Sequence, residues 1–276
     1  MSQDNAQQID YWNGEAGHTW VAAQDRLDRM LAPITEALLA RAAAAAGERI
    51  VDVGCGCGET TLALAGAGAR VWGIDISEPM LAHAKARAAG NPSVAFSRTD
   101  AATQSFTDDH ELVFSRFGVM FFADPGAAFA NLRTALAPGG RLCFVCWQSP
   151  RDNPWVSIAG AALKPYLPEP AETPDPRDPG PFAFADRDYL RTIVEGAGFT
   201  DLAIEPLTPT LQVADDLPGA LDFMARVGPM SRAMTELEGD DRDRALEAVR
   251  AALAPHLRDD GLRLGAACWL VSARAG

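Results

Sequence analysis

The sequence predicts an α/β protein built on a doubly wound, Rossmann-like sheet that is mostly parallel. Short apolar runs alternate with helical patterns between residues 49 and 147, which indicates parallel strands connected by helices on both faces of a sheet. A glycine-rich loop at residues 54–58 also joins the first strand to the next helix, the place where open α/β sheets bind ligands.

Capping and turn residues support the individual helices and strands that the sequence predicts. Ser77 is a good N-cap for the helix that follows it, and Pro79 lies in the first turn, where proline is tolerated. The turn at residues 138–140 precedes the fifth strand, and Gly198 ends a helix. The predicted strands are residues 49–53, 70–74, 93–97, 111–115, 141–147, 202–207 and 267–272. The predicted core helices are residues 60–67, 78–89, 127–136 and 188–197.

The chain divides into four predicted parts. They are an N-terminal helical cap at residues 1–47, a Rossmann-like core at 48–148, a proline-rich lid at 149–184, and a C-terminal part at 185–276 with a helical insertion at about 209–265. In the cap, two helices are expected to separate near Pro33. In the lid, nine prolines between residues 150 and 181 exclude a long helix or a central strand. Helical patterns at 216–228 and 240–257 predict the insertion.

The glycine loop predicts a ligand that contains adenosine. Gly54, Gly56 and Gly58 let the backbone turn sharply and let a ligand approach the main chain. Asp75 ends the second strand, 21 residues after Gly54, where a carboxylate can accept hydrogen bonds from both ribose hydroxyls. A dinucleotide fingerprint requires a third glycine at position 59, but the residue there is Glu59, whose charge repels a pyrophosphate at a helix N-terminus. The loop therefore favours a ligand without phosphates.

The motifs together resemble a known family. The run Val51-Asp52-Val53-Gly54-Cys55-Gly56-Cys57-Gly58 is similar to the first motif of class I S-adenosylmethionine-dependent methyltransferases of small molecules. Asp75, Asp100 and the residues 136–140 lie where the later motifs of that family lie. The resemblance covers residues 45–148 well. It implies a seven-stranded sheet with an antiparallel last strand, and S-adenosyl-L-methionine as the cofactor, with S-adenosyl-L-homocysteine as the product.

Chemistry and resemblance together assign the cofactor contacts. The loop glycines are expected near the methionine part, with Asp52 attracting its ammonium, and Asp75 is expected at the ribose. Asp100 matches the family position that accepts from the adenine amine, and the backbone after Ser115 is expected near the transferable methyl. The expected cofactor-binding residues are Asp52, Gly54, Cys55, Gly56, Gly58, Thr60, Asp75, Ile76, Met80, Asp100, Ala101, Ser115 and Phe117.

The acceptor is expected to be a small molecule. Relatives that methylate nucleic-acid or protein nitrogens carry an Asn/Asp-Pro-Pro-aromatic motif after strand four, and this chain has none. The weak candidates for a catalytic role are His18 and Tyr11, as a general base, and Arg116, whose charge at a strand exit requires a carboxylate partner from the cofactor or an acidic substrate. The expected acceptor pocket comprises Trp12, Phe121, Trp147, Trp155 and Arg226. The aromatic residues of the N-terminal segment, such as Trp12 and Trp20, can close over the cofactor, anchor their helix to the sheet, or do both.

Composition limits the partners. The chain has 276 residues, a net charge of -13 and a pI near 4.7, so nucleic acid and anionic membrane surfaces are unlikely partners on electrostatic grounds. No apolar run approaches the length of a membrane span and no basic leader precedes an apolar stretch, which predicts a cytoplasmic protein. Five cysteines and four histidines show no metal-ligand spacing, so no metal is expected. A monomer or a homodimer is expected.

Two other functions stay open at this stage. An NAD(P)-dependent oxidoreductase would use the same sheet, although Glu59 disfavours it. A cofactor-binding protein, or a lyase or cyclase that keeps the fold without methyl transfer, would carry the same motifs.

Overall fold

The main sheet has the predicted class of architecture. The computed structural model describes residues 3–168 and 175–276, and these residues form ten strands: β1 (Arg49–Val53), β2 (Arg70–Asp75), β3 (Val94–Arg98), β4 (His110–Arg116), β5 (Leu136–Trp147), β6 (Phe199–Leu207), β7 (Thr210–Ala214), β8 (Leu257–Arg258), β9 (Gly261–Gly265) and β10 (Cys268–Ala275). Seven of them form one sheet in the order β3-β2-β1-β4-β5-β10-β6. Strand β10 is antiparallel to β5 and β6, and the other pairs are parallel. The predicted fold class is confirmed.

The register of β1 explains where a ligand can bind. Ile50 pairs with Val71 of β2 on one side and with Leu112 of β4 on the other. Ile50 to Val53 are buried, as expected for a strand covered on both faces. Because β2 and β4 lie on opposite sides of β1, the strand order reverses there and a crevice forms beyond the carboxyl ends of the strands.

Helices cover both faces of the sheet. The described residues form α1 (Gln3–Asn13), α2 (Glu15–Ala22), α3 (Gln24–Ala42), α4 (Glu59–Gly66), α5 (Glu78–Ala88), α6 (Pro125–Arg133), α7 (Pro154–Leu163), α8 (Arg187–Gly196), α9 (Leu217–Arg226), α10 (Pro229–Thr235) and α11 (Gly239–Leu253). Among them, none combines the length and the apolar character that crossing a membrane requires.

The predicted break near Pro33 is wrong. Helix α3 runs through Pro33 without interruption, and the separation between helices lies ten residues earlier, at Ala23. An internal proline costs a helix about 3 kcal/mol. The buried residues Met30, Ile34 and Leu38 lie on both sides of the proline on one face of α3, so core packing on both sides outweighs that cost.

The proline-rich segment contains more helix than expected. Helix α7 begins at Pro154, where a missing N–H costs nothing because the first helical N–H groups have no intrahelical partner. The buried Asn153 side chain accepts from the Ala267 N–H at 2.8 Å and from Trp155 Nε1 at 3.1 Å. These bonds tie the start of α7 to the residue that precedes β10. The predicted lid also includes Pro170 and Pro174, which lie outside the described residues.

The insertion between β6 and β10 is only partly helical. Strands β7, β9 and β8 form a second sheet in that order, with antiparallel pairs, and sequence reasoning did not predict it. The helical pattern expected at 216–228 corresponds to α9, and the pattern at 240–257 corresponds to α11. A five-residue strand such as β7 has too few alternating positions to be recognised by periodicity alone.

Candidate active site

A cavity of about 430 Å³ opens at the carboxyl edge of the sheet. Helices from the N-terminal cap form one wall, and residues of α7, α9 and α10 form another. Most of the predicted cofactor residues line it: Gly54, Cys55, Gly56, Thr60, Asp75, Ile76, Met80, Asp100, Ala101 and Phe117. The residues predicted for the acceptor pocket line the same cavity: Trp12, Phe121, Trp147, Trp155 and Arg226.

Three predicted cofactor residues lie behind the cavity wall. Asp52 is fully buried, and its Oδ2 accepts hydrogen bonds from Thr60 Oγ1 at 2.7 Å and from Thr61 Oγ1 at 2.6 Å. Ser115 Oγ donates to the Val53 carbonyl at 2.8 Å. Gly58 caps α4 with a φ of 83°. These residues hold the loop in place, and they are not among the residues that line the cavity.

Two loop glycines allow close approach. Gly54 has a φ of 65°, and a Cβ built on it would lie 2.6 Å from the Cα of Gly118 after β4. Gly56 has a φ of 53°, and its Cβ would lie 2.8 Å from Met80 Cε. A side chain at Gly54 would clash with the backbone of Gly118, and a side chain at either position would strain the left-handed backbone conformation. The main chain of the loop therefore lies bare along the floor of the cavity.

Asp75 connects the glycine loop to helix α5. Its Oδ2 accepts from the Gly56 N–H at 2.8 Å, and its Oδ1 accepts from the Ser77 N–H at 2.8 Å. Burial raises the pKa of Asp75, and the bonds from these N–H groups oppose that shift. Each carboxylate oxygen has a second lone pair, so the side chain can accept further hydrogen bonds from a ligand in the cavity.

Asp100 lies under helix α1. Its carboxylate accepts from the Asn5 side-chain amide and from the Ala102 N–H, the latter at 3.0 Å. Asn131 of α6 donates to the Ala101 carbonyl at 2.9 Å and fixes this loop from below. The N-terminal cap therefore closes this end of the cavity by a direct polar contact.

The cap is also hydrogen-bonded to the start of α5. Ser77 Oγ donates to the Trp12 carbonyl at 2.7 Å, and Asn13 accepts from the Glu78 N–H at 2.9 Å while donating to the Ile76 carbonyl at 3.0 Å. These bonds hold α1 and α2 beside the predicted adenine-binding residues.

Glu59 starts helix α4 and is neutralised by a cation. It forms an ion pair with Arg87 of α5, which also lies 3.2 Å from the Asp28 carboxylate and donates to the Cys57 carbonyl at 3.1 Å. The carboxylate occupies the N-terminal end of the helix, where a pyrophosphate would be bound in a dinucleotide site. This arrangement disfavours the oxidoreductase alternative.

The charge of Arg116 is matched from within the chain. The guanidinium donates to Thr35 Oγ1 at 2.7 Å and lies 3.7 Å from the Asp28 carboxylate, both on α3. The sequence predicted a carboxylate partner from the cofactor or the substrate, and it missed Asp28. The positions of charged residues in the sequence of α3 do not indicate which strand the helix crosses. The pair of Asp28 and Arg116 could therefore be identified only from the three-dimensional structure. Arg116 still lines the cavity.

Two buried aspartates have raised pKa values. Burial, with a further contribution from Glu59, raises the pKa of Asp28 to about 6, and Arg116 and Arg87 oppose this shift. Burial raises the pKa of Asp52 to about 6 against the hydrogen bonds from Thr61 and Thr60. Burial by itself would raise the pKa of Glu59. Its hydrogen bonds with Arg87 and Asp28 outweigh this effect, so the pKa of Glu59 is lowered. Of the two neighbouring carboxyl groups, Asp28 therefore retains its proton to higher pH.

Through these shifts Asp28 and Asp52 lower the stability as pH rises from about 4 to 6, whereas groups with a lowered pKa such as Glu59 contribute in the opposite direction. Over that range the folded chain retains protons on Asp28 and Asp52 that the unfolded chain releases, so each such proton lowers the free energy of unfolding by about 1.4 kcal/mol per pH unit. Asp28→Asn removes one of these protons and should flatten the slope by about 1 kcal/mol per pH unit. Urea unfolding at a series of pH values measures it. A slope identical to that of the parent protein would contradict the raised pKa of Asp28.

Two buried oxygens lack a donor among the described residues. They are Gln24 Oε1 and Asp52 Oδ1. Gln24 lines the cavity and is 3% exposed, and its amide Nε2 donates to the Asp28 carboxylate. An unpaired buried acceptor costs about 1–3 kcal/mol, so a donor supplied by a ligand would remove that penalty. Sequence reasoning missed Gln24 for the same reason as Asp28.

Four aromatic side chains form an N-terminal aromatic cluster: Tyr11, Trp12, Trp20 and Phe121. The ring centroid of Trp12 lies 5.1 Å from that of Tyr11, 5.7 Å from that of Trp20 and 5.4 Å from that of Phe121, all in edge-to-face geometry. All four line the cavity. The cap therefore presents an aromatic wall to the crevice while its helices pack on the sheet.

A second group, the sheet-edge aromatic cluster, comprises Phe117, Trp147 and Trp155. Phe117 stacks on Trp147 with centroids 4.2 Å apart and planes 9° from parallel, and Trp147 lies 4.9 Å from Trp155. Phe117 has a φ of 63°, a conformation that is uncommon and strained for a bulky side chain. Strain of this kind is found at ligand-binding positions, and here it directs the ring into the cavity lining.

The candidates for a general base lie in different places. His18 is exposed and is not among the residues that line the cavity. Tyr11 lines the cavity and is 40% exposed. Arg226, which was predicted for the acceptor pocket and not as a base, lines the cavity. It forms an exposed ion pair with Asp222, one helical turn earlier.

The fold and the crevice together define a class of protein. One cavity is lined by a glycine loop after β1, by a carboxylate at the end of β2 and by a second carboxylate after β3. It lies on a seven-stranded sheet in which β10 is antiparallel to its neighbours. This is the architecture of class I methyltransferases. In agreement, residues 50–140 match the family model described as a methyltransferase domain.

Known proteins are similar to this chain over segments of different length. A demethylmenaquinone methyltransferase of Clavibacter sepedonicus is 38% identical over 106 residues, which are 38% of this chain and 43% of that protein. An uncharacterized protein of Mycobacterium tuberculosis is 28% identical over 240 residues, 85% of this chain and 84% of that protein. The structure of phosphoethanolamine N-methyltransferase 2 of Haemonchus contortus, with S-adenosylhomocysteine, is 19% identical with a TM-score of 0.53, over 87% of this chain and 52% of that chain. The last likeness shows a common fold.

Residues 50–140 therefore match the methyltransferase-domain family, on a sheet with the class I methyltransferase fold.

Proposed function

We propose that the whole chain is an S-adenosylmethionine-dependent methyltransferase whose acceptor is a small and largely apolar molecule. The observation that supports this most is the continuous cavity of about 430 Å³, which joins the bare glycine loop to two aromatic clusters. The predicted cofactor residues and both aromatic clusters line this one cavity, so a donor and an acceptor can meet in it.

The cofactor fits the chemistry of the cavity lining. We place the ribose hydroxyls on the free lone pairs of Asp75, and the adenine between Ile76 and Met80 with its amine toward Asp100. The methionine part would then lie along the glycine loop, where Gly54 and Gly56 line the cavity without side chains. When bound, S-adenosylmethionine supplies an activated methyl group on a sulfonium.

The amino-acid end of the cofactor is proposed to lie against α3. Gln24 Oε1 has no donor among the described residues and can accept from the α-ammonium, while Arg116 lines the same cavity and offers a cation for the carboxylate. Asp52 is fully buried behind the loop, and its attraction of the ammonium stays a prediction.

Gln24→Leu tests this placement. Losing one hydrogen bond to a charged group, worth about 1.5–3 kcal/mol, should weaken S-adenosylhomocysteine binding roughly 10- to 100-fold. Binding of 5′-methylthioadenosine, which lacks the amino-acid end, should stay within about threefold of the parent value. Calorimetry on both ligands gives the comparison. Equal losses for the two ligands would place Gln24 elsewhere than at the ammonium.

The residues around the acceptor act mainly by positioning and by excluding water. The N-terminal aromatic cluster and the sheet-edge aromatic cluster both contribute to the cavity lining, and aromatic faces attract a sulfonium as they attract other cations. Tyr11 is the candidate base that reaches the cavity, whereas the exposed His18 does not line it. An acceptor that must lose a proton would therefore depend on Tyr11.

Methyl transfer itself is tested with an isotope-labelled cofactor. Incubation of the protein with methyl-labelled S-adenosylmethionine and a small-molecule extract should label a low-molecular-weight product, and added RNA or protein should remain unlabelled. The net charge of -13 supports an acceptor other than nucleic acid. Cofactor binding without labelled product across broad extracts would favour the non-methylating lyase, cyclase or binding protein instead. The cytoplasmic location and the monomeric or homodimeric state stay predictions.

A further inference from the structure

A second, smaller cavity of about 90 Å³ lies beside the main one. Five residues line both cavities: Met30, Trp155, Phe223, Val227 and Pro229. The smaller space, called the annex below, extends from this shared wall between α7, α9 and α10. It therefore adjoins the candidate active site beside Trp155 of the sheet-edge aromatic cluster.

The side chains that line the annex are almost all apolar. Its remaining wall consists of aliphatic side chains, methionines and small residues, such as Val156, Leu163, Met224 and Met230. The one polar side-chain atom among its lining residues, Trp155 Nε1, already donates to Asn153 Oδ1 at 3.1 Å. A buried water requires two to four polar partners, which this wall does not offer. An apolar group is thus the favoured occupant.

We infer that the acceptor carries a short apolar substituent, about five or six carbons long, that occupies the annex while its reacting head lies against the sheet-edge aromatic cluster. This inference rests on the proposed function. The length follows from the volume, because a site of 90 Å³ holds roughly six groups of the size of a water molecule or a methylene. The methionines Met30, Met224 and Met230 are flexible enough to adapt to an alkyl chain.

A chain-length series tests the inference directly. The protein, saturated with S-adenosylhomocysteine, is titrated by calorimetry with 4-n-alkylphenols from methyl to octyl. Burying one methylene is worth about 0.8 kcal/mol, so each added carbon should tighten binding roughly three- to fourfold until the annex is full. The gain should level off near five or six carbons. An affinity that does not depend on chain length, or no heat at any length, would overturn the inference.

Gly160→Leu provides a variant that shortens the annex. Gly160 lines the annex on α7, and a Cβ built there meets no heavy atom within 4 Å, so a leucine can be accommodated without displacing the core. The variant should bind 4-methylphenol like the parent protein but lose most of the tenfold or larger gain of the longer phenols. Ala233→Leu, in the wall formed by α10, should act in the same direction.

Gly196→Leu is the matched control. It lies at the end of α8, a Cβ built there also meets no heavy atom within 4 Å, and it is not among the residues lining either cavity. It should leave the whole series unchanged. If S-adenosylhomocysteine itself fails to bind, the proposed function fails. If it binds normally while Gly160→Leu retains the full chain-length gain, only the annex inference fails.

Discussion

Asp75→Ala is expected to weaken S-adenosylhomocysteine binding by at least about 100-fold. Two hydrogen bonds from ribose hydroxyls to a carboxylate contribute about 1.5–3 kcal/mol each, or roughly 3–6 kcal/mol together. Asp75 also accepts from the Gly56 N–H and the Ser77 N–H at 2.8 Å, so its loss additionally frees the glycine loop. The measurement is calorimetry with S-adenosylhomocysteine and with 5′-methylthioadenosine, and both ligands should lose affinity because both contain the ribose.

Two further variants isolate the carboxylate in this prediction. Asp75→Asn retains one acceptor oxygen and should give an intermediate loss. Asp109→Ala removes an exposed carboxylate that pairs with Arg49 at the amino ends of β1 and β4, away from the cavity. This variant should bind both ligands like the parent protein. A melting temperature close to that of the parent shows that Asp75→Ala is folded. A folded Asp75→Ala that binds within threefold of the parent would remove Asp75 from the site.

Trp147→Ala is expected to abolish acceptor methylation while weakening cofactor binding by less than about tenfold. Trp147 is 6% exposed at the end of β5, stacks on Phe117 and packs at a tilt against Trp155, so its removal opens the centre of the sheet-edge aromatic cluster. Truncating a buried tryptophan costs about 3–5 kcal/mol of stability, which unfolding in urea will detect.

Trp147→Phe distinguishes the lost acceptor site from a general loss of stability. A phenylalanine retains the stack with Phe117 and should recover most of the activity. The buried core substitution Phe129→Ala is the stability control, because Phe129 packs against Phe144 and Phe184 and is not a cavity-lining residue. If Phe129→Ala and Trp147→Ala lose activity equally at equal stability, the aromatic cluster has no specific role at the acceptor.

The features predicted from sequence were those encoded by local patterns. The β1 run, the loop glycines and Asp75 lie within 27 residues, from position 49 to position 75, and each needs its residue type for a local reason: a buried strand, a positive φ or a carboxylate at a strand end. Parallel pairing then follows from the alternation of strands and helices. The main sheet could therefore be predicted from the sequence pattern, and its antiparallel last strand from the resemblance to the methyltransferase family.

The features that sequence reasoning missed depend on long-range packing. Gln24 and Asp28 carry no local signal for a site, and their importance appears only because α3 crosses the exit of β4 beside Arg116. The break expected at Pro33 failed because the apolar face of α3 buries residues on both sides of the proline. The small sheet of the insertion consists of strands two to five residues long, too short for their periodicity to distinguish them from loops.

The network around Glu59 adds a second obstacle to phosphate binding. In the sequence, the charge of Glu59 alone disfavours a pyrophosphate. In the folded chain its carboxylate is held at the start of α4 by Arg87, which is itself shared with Asp28. A phosphate at the start of α4 would therefore have to displace the Glu59 carboxylate from a partly buried ion pair.

We propose that the cavity beyond β1 and β2 binds S-adenosylmethionine and excludes dinucleotides. A calorimetric titration of the intact chain with S-adenosylhomocysteine, run beside a titration with NADH, tests this proposal. We predict one S-adenosylhomocysteine bound per chain, with affinity lost in Asp75→Ala, and no heat with NADH. Tight NADH binding without any binding of S-adenosylhomocysteine would contradict this claim.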